Sequence, residues 1–131
     1  MYQKIKVILL EPGKLARTAE IDSSLEAMQR IVGGYIESYS PFDESVCIIC
    51  NEEGKINGME PNRSVKDENG DLLDFIFGPA FLCGCKGEDF DSLSDEQATR
   101  YSQIFWYPEH LIKYGNIMLG CPFNPESYSN R

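Results

Sequence analysis

Four of the five cysteines fall in two close pairs, Cys47-x-x-Cys50 and Cys83-x-Cys85, and four sulfurs are the donor set of a structural zinc ion. The spacing argues against that chemistry. A zinc knuckle carries its pair on a tight turn so that both thiolates aim at one metal. Cys47 and Cys50 instead bracket Ile48-Ile49 in an apolar run that reads as a strand, where residues three apart face opposite sides of the sheet. Cys83 and Cys85, two apart, share a face if that segment is extended, but two ligands do not make a site. A thioredoxin-like redox pair needs a helix N-terminus to lower the thiol pKa, and no helical pattern follows Cys50. We expect free, structural thiols, with no metal and no cofactor. An odd cysteine count without an export signal fits a reducing, cytoplasmic setting.

The second constellation is Asn51-Glu52-Glu53-Gly54-Lys55 followed by Pro61-Asn62-Arg63. Turn chemistry at 51–54 needs only the Asn and the Gly. The two Glu and the Lys are surplus to backbone geometry. Arg holds a carboxylate through two parallel hydrogen bonds, so an Arg63 pair with Glu52 or Glu53 would pin the loop to the hairpin. The competing reading takes Asn51, Glu52, Glu53, Lys55, Asn62 and Arg63 as a binding surface for a ligand or partner. As an enzyme site, Glu52, Glu53, Asn62 and Arg63 would bind a small molecule or metal, with a carboxylate as base and Arg63 orienting an anion.

No catalytic residue is assigned. His110 is the sole histidine, the serines lack a G-x-S-x-G elbow, and Val32-Gly33-Gly34-Tyr35 follows a helical pattern where a nucleotide-binding fingerprint must precede one. The acidic pairs Glu52-Glu53, Asp67-Glu68 and Glu88-Asp89 have oxygen donors suited to magnesium or calcium, but not the spacing of a calcium loop. Tyr101, Phe105, Trp106 and Tyr107 cluster near one helix end, where they seal a core edge or form a protein-binding patch.

Charge narrows the partners. The 131 residues carry a net charge of -9, and it is concentrated. Residues 1–40 balance, 41–98 hold fourteen acids against Lys55, Arg63, Lys66 and Lys86, and the remainder is slightly positive. Such a field repels nucleic acid and anionic membranes and attracts basic partners or cations. We expect no direct nucleic acid binding and no membrane association. No stretch approaches the roughly 18 apolar residues of a membrane span. The opening MYQKIKVILLEPGK has too short an apolar run for a signal peptide and reads as a strand.

The elements that must position these residues follow from periodicity. Residues 2–10 alternate with Ile5, Val7 and Leu9 on one face, a half-buried strand, and 15–21 return as a second. Ser23-Ser24-Leu25-Glu26 has capping-box form, with Ser23 and Glu26 as the reciprocal pair, opening a helix of about three turns that stops at Gly33-Gly34. Tyr35–Tyr39 and Ser45–Asn51 are strands, and Lys55–Gly58 can pair back on the latter. Residues 62–70 are polar and loop-like, with Asn69-Gly70 a type I′ turn signal. Two apolar strands flank Gly78-Pro79. Ser94 and Gln97 form a second capping box, with Leu93 as staple, for a helix to about Phe105. Glu109–Tyr114 is one more short segment, a third helix, before a fraying tail.

The expected fold is α+β, a small mostly antiparallel sheet of four to six strands packed with two main helices. Residues 1–105 form a single domain and 106–131 a partly ordered extension.

Together, Glu11-Pro12-Gly13-Lys14, Ile21-Asp22, Val32-Gly33-Gly34-Tyr35-Ile36-Glu37, Cys50-Asn51-Glu52-Glu53-Gly54-Lys55, Pro61-Asn62-Arg63 and Gly87-Glu88-Asp89-Phe90 before Leu93-Ser94-Asp95-Glu96-Gln97 resemble the bacterial and phage family catalogued as domain of unknown function 3846. The resemblance spans roughly residues 3–105. It implies a small cytosolic protein, often encoded near conjugative elements and phage genes, and the family has no established activity to carry across. The function we expect is a non-enzymatic, acidic accessory domain that binds a protein partner. A sharper variant has its carboxylates imitate DNA phosphates to occupy a nucleic-acid-binding protein. A third class is a structural subunit joined through a strand edge or the Trp106 patch.

Overall fold

β1 (Lys4–Leu10) pairs on one side with β2 (Arg17–Asp22), across the Glu11–Lys14 turn, and on the other with β7 (Ala80–Lys86). In the computed structural model, which describes residues 3–128, this central position buries β1 on both faces. The alternation Ile5, Val7, Leu9 is real, but Ile8 and Leu10 are equally buried on the other side. A half-buried strand was expected from Lys4 and Lys6. Those lysines lie at the end that reaches solvent, where Lys6 pairs with Asp95 and Lys4 with Asp22.

β7 also pairs with β4 (Val46–Asn51), and β4 with β3 (Ile36–Tyr39), giving the antiparallel order β2-β1-β7-β4-β3; the short β8 (Asp89–Asp91) pairs with the end of β7. This six-stranded sheet is covered on both faces. On one, Ile5, Val7, Cys47, Ile49, Phe81 and Cys83 pack against Met28 and Val32 of α1 (Leu25–Val32). On the other, Ile8, Leu10, Val46, Ile48 and Leu82 pack under α2 (Asp95–Ile104) and a two-stranded sheet of β5 (Pro61–Lys66) and β6 (Leu72–Phe77). The arrangement is an α+β fold in layers.

α1 is amphipathic and buries Met28 and Val32, each worth about 1.5–3 kcal/mol if fully removed from water. Its cap is Ser24 rather than Ser23: Ser24 Oγ accepts from the Ala27 amide at 3.2 Å. The helix is eight residues long, shorter than three turns, and ends on Gly33 with φ 80°. The α2 capping box forms as read, with Ser94 and Gln97 bonding each other's backbone amides at 3.1 and 3.0 Å.

Four further expectations fail. Residues 55–58 are turn, not a hairpin arm; the Gly54 α-carbon lies so close to β6 that a β-carbon there would meet the Phe77 carbonyl at 2.5 Å. The polar stretch after Pro61 is a strand, β5, with Asn62, Arg63 and Ser64 buried alongside Val65. Its turn at 67–71 is held by Asp67, whose Oδ1 accepts from the Asn69 and Asp71 amides, each at 2.9 Å; only Gly70 has positive φ, so this is not a type I′ turn. Finally, Glu109–Tyr114 is no helix. It is β9, paired with β10 (Ile117–Pro122) around Gly115-Asn116, a two-residue hairpin loop with positive φ at its first position.

Candidate functional site

Arg63 is fully buried, yet it touches neither Glu52 nor Glu53. The expected carboxylate pair is absent because the guanidinium is taken up instead by the β1–β2 turn and the end of α2. There Nε donates to the Phe105 carbonyl at 2.7 Å, Nη1 to Asn62 Oδ1 at 2.6 Å and the Glu11 carbonyl at 3.2 Å, and Nη2 to the Lys14 carbonyl at 2.6 Å. Phe105 caps α2, which has no basic residue in its last turn. Arg63 therefore supplies from another strand the positive charge that a helix C-terminus favours. Burial pulls its pKa down to about 10, opposed by the charges of Glu109 and Glu11, so it stays ionised at neutral pH. Asn62 completes the cluster by donating to the Leu10 and Gly78 carbonyls, both at 2.8 Å. Among the described residues, no buried side-chain nitrogen or oxygen lacks a hydrogen-bond partner. The cluster is a joint between the β1–β2 turn, β5 and the end of α2.

Asn51, Glu52, Glu53 and Lys55 lie elsewhere. Asn51 bridges the sheet and α1: its amide donates to the Val32 carbonyl at 3.1 Å and its oxygen accepts from the Glu53 amide at 2.8 Å. Glu52 and Glu53 are exposed on the turn. Lys55 Nζ lies 2.5 Å from Asp74. These residues line a crevice of about 190 Å³ with Glu37, Cys50 and Asp74, and neither Asn62 nor Arg63 contributes to it. The six sequence-derived candidates thus divide into a surface turn and a buried joint.

A larger concavity was not legible in the sequence. About 590 Å³ of groove opens between the β3–β4 loop, the β5–β6 turn, the end of α2 and the base of β9–β10. Its floor is apolar. Phe42 packs on Tyr101 at 4.8 Å between ring centroids and edge-on to Phe105 at 6.3 Å, and Ile104 is 62% exposed beside them. Its rim holds Asp43, Glu44, Asp67, Glu68 and Glu109 against Lys66 and Arg100. Arg100 is already committed: it grips Glu44 at 2.5 and 3.1 Å and lies 5.1 Å from the Tyr101 centroid. That guanidinium, with help from Gln97, holds the Glu44 carboxyl down to about 2 against the opposing effect of burial. Glu109 is engaged by the Ser64 hydroxyl and amide at 2.8 and 3.2 Å.

Asp43 and Glu68 have no ion-pair partner among the described residues. Both line the groove rim, and the hydrogen bond and charge of Asp43 raise the Glu68 pKa. Two like charges drawn together on a rim, without a cation between them, are an electrostatic cost to the free protein.

The thiols sort as the strand reading requires at β4. Cys47 packs in the α1 layer and Cys50 against the opposite one, and all five cysteines are free. Burial, then the charges of Glu37 and Asp74, push Cys50 up to about 11. Among the described residues, no cluster of three or more His, Cys, Asp or Glu is placed to hold a metal ion. His110 lies on β9, stacked on Phe123 at 3.9 Å. The outer face of that hairpin presents the directly paired Ile112 and Leu119, and Tyr114 and Ile117, all exposed. No helix among the described residues is long and apolar enough to cross a membrane.

Comparison with known proteins gives no match among curated proteins or solved structures. A family model described as "Domain of unknown function (DUF3846)" matches residues 5–105. The match takes in both cores, the Arg63 joint and every groove-lining residue except Glu109 and Pro122; β9 and β10 lie beyond it. With most of its length covered, the chain belongs to this DUF3846 family.

Proposed function

We propose that this protein is a non-enzymatic accessory domain that binds a basic protein segment in the groove between α2 and the β5–β6 turn. The observation that carries this reading is the unneutralised Asp43–Glu68 pair above an apolar floor. A partner offering Lys or Arg beside a Leu or Phe would insert its cation between the two carboxylates and bury Ile104 with its apolar side chain. Desolvated anchors of this kind carry most of the energy of an interface, and rim charges set approach rate and selectivity. The concentration of negative charge in residues 41–98 supports the same reading, because the field draws a basic segment in and turns nucleic acid away. The setting assumed is the cytoplasm.

The experiment is an amide-resolved NMR titration with a synthetic peptide alternating Arg and Leu. Shifts should concentrate at 42–44, 66–70, 104–107 and 109. They should shrink between about 0.1 M and about 1 M salt, as the screening length falls from about 10 Å to about 3 Å. Shifts confined to the Glu52-Glu53 turn or the β9–β10 face, or no binding at low salt, would remove the proposal.

A further inference from the structure

β4 and β7 are adjacent central strands, and their register sets Cys47 directly opposite Cys83. The two sulfurs are 3.7 Å apart and both residues are fully buried. Directly opposed residues of an antiparallel pair have α-carbons about 4.5–5.5 Å apart, within the roughly 4.4–6.8 Å a disulfide spans. A disulfide requires the sulfurs to close from 3.7 Å to about 2 Å. Cys85, two residues beyond Cys83, projects from the same face of β7 and is only partly buried. Three thiols therefore run from the protein surface to the centre of the sheet. Cys50 and Cys121 stand apart from this row, Cys50 on the opposite face of β4 and Cys121 on β10.

We propose that Cys47, Cys83 and Cys85 form a thiol–disulfide exchange site for small disulfides of the glutathione type, with Cys47–Cys83 as the stable oxidised product. Cys85 thiolate attacks one sulfur of the external disulfide; the Cys85–glutathione bond forms and one glutathione thiolate leaves. Cys47 thiolate then attacks Cys85 Sγ, expelling the second glutathione, and Cys83 thiolate attacks Cys47 Sγ, returning Cys85 as thiolate. Two protein thiols lose two electrons, the external disulfide becomes two thiols, and the protons released by Cys47 and Cys83 go to the departing thiolates. The contact between the two buried sulfurs assists the second step: their hydrogen bond lowers the Cys47 pKa, so the pair releases its first proton from Cys47.

The test uses the folded full chain, equilibrated across ratios of reduced to oxidised glutathione, quenched with acid, alkylated and mapped by mass spectrometry. The expected product lacks two hydrogens, joins the peptides of Cys47 and Cys83, and leaves Cys50 and Cys121 alkylated. Cys85→Ser should slow its formation about tenfold or more and leave the equilibrium ratio unchanged. Accumulation of a stable glutathione adduct with Cys47 and Cys83 still free would overturn the proposal. So would five free thiols at every ratio. Formation of the pair at an unaltered rate in Cys85→Ser would remove Cys85 as the entry point. The wild-type mass map stands by itself if a variant fails to fold.

Discussion

The Arg63 joint and the acidic groove are neighbours, sharing Phe105 and Glu109, and they treat charge in opposite ways. At the joint one cation is buried completely and every donor finds an oxygen, mostly backbone carbonyls at loop and helix ends. In the groove, carboxylates crowd together at the surface and two of them lack a cation. A charge enclosed and saturated with hydrogen bonds holds segments together, because removing it leaves carbonyls unpaired. A charge left exposed and uncompensated does not hold the fold together and is available to a second molecule. The difference separates structural polar residues from candidate binding ones where residue type alone does not.

The largest expected effect is at the joint. Arg63→Ala should lower unfolding free energy by about 3–5 kcal/mol, because it removes the donors to the Phe105 and Lys14 carbonyls and leaves a cavity where the buried guanidinium stood. Denaturant unfolding measures it; a loss below about 1 kcal/mol would mean that water replaces the guanidinium freely, and the contrast between the regions would collapse. A smaller effect belongs to Glu44, at the boundary of the two. Its folded pKa of about 2 lies below the ordinary 4.5, so the Arg100 interaction stabilises fully above pH 4.5 and is lost as pH falls toward 2. The contribution of such a partly exposed pair is about 1 kcal/mol or less. Glu44→Gln should flatten the stability profile through that window, and an unchanged profile would show that Arg100 does not hold the carboxylate in solution.

How much was legible in the sequence depended on whether polarity and burial agreed. β4 and β7 are continuous apolar runs, and Ser94-x-x-Gln97 closes the capping box its spacing announces. The divergence of Cys47 and Cys50 follows from the two-residue strand repeat. β5 was hidden because Asn62, Arg63 and Ser64 read as loop, and their burial depends on carbonyls contributed by residues 10–14, 78 and 105. β9 was hidden because Leu111-Ile112 suits either repeat; the Gly115-Asn116 loop with Ile117 to Leu119 beyond it was the available signal. The Cys47–Cys83 contact rests on a register between strands thirty-six positions apart, which no local pattern encodes. The groove combines four such segments, so its carboxylates appeared in the sequence only as an excess of charge.

Asp43 and Glu68 carry the central claim, that unsatisfied surface charge here serves binding and not folding. The direct measurement is the melting temperature and the affinity for the Arg-Leu peptide of one double variant, Asp43→Asn with Glu68→Gln, beside the parent. The account predicts a melting temperature equal or slightly higher and an affinity about fivefold weaker, the size expected for exposed charge contacts. A marked drop in melting temperature with affinity unchanged would contradict it.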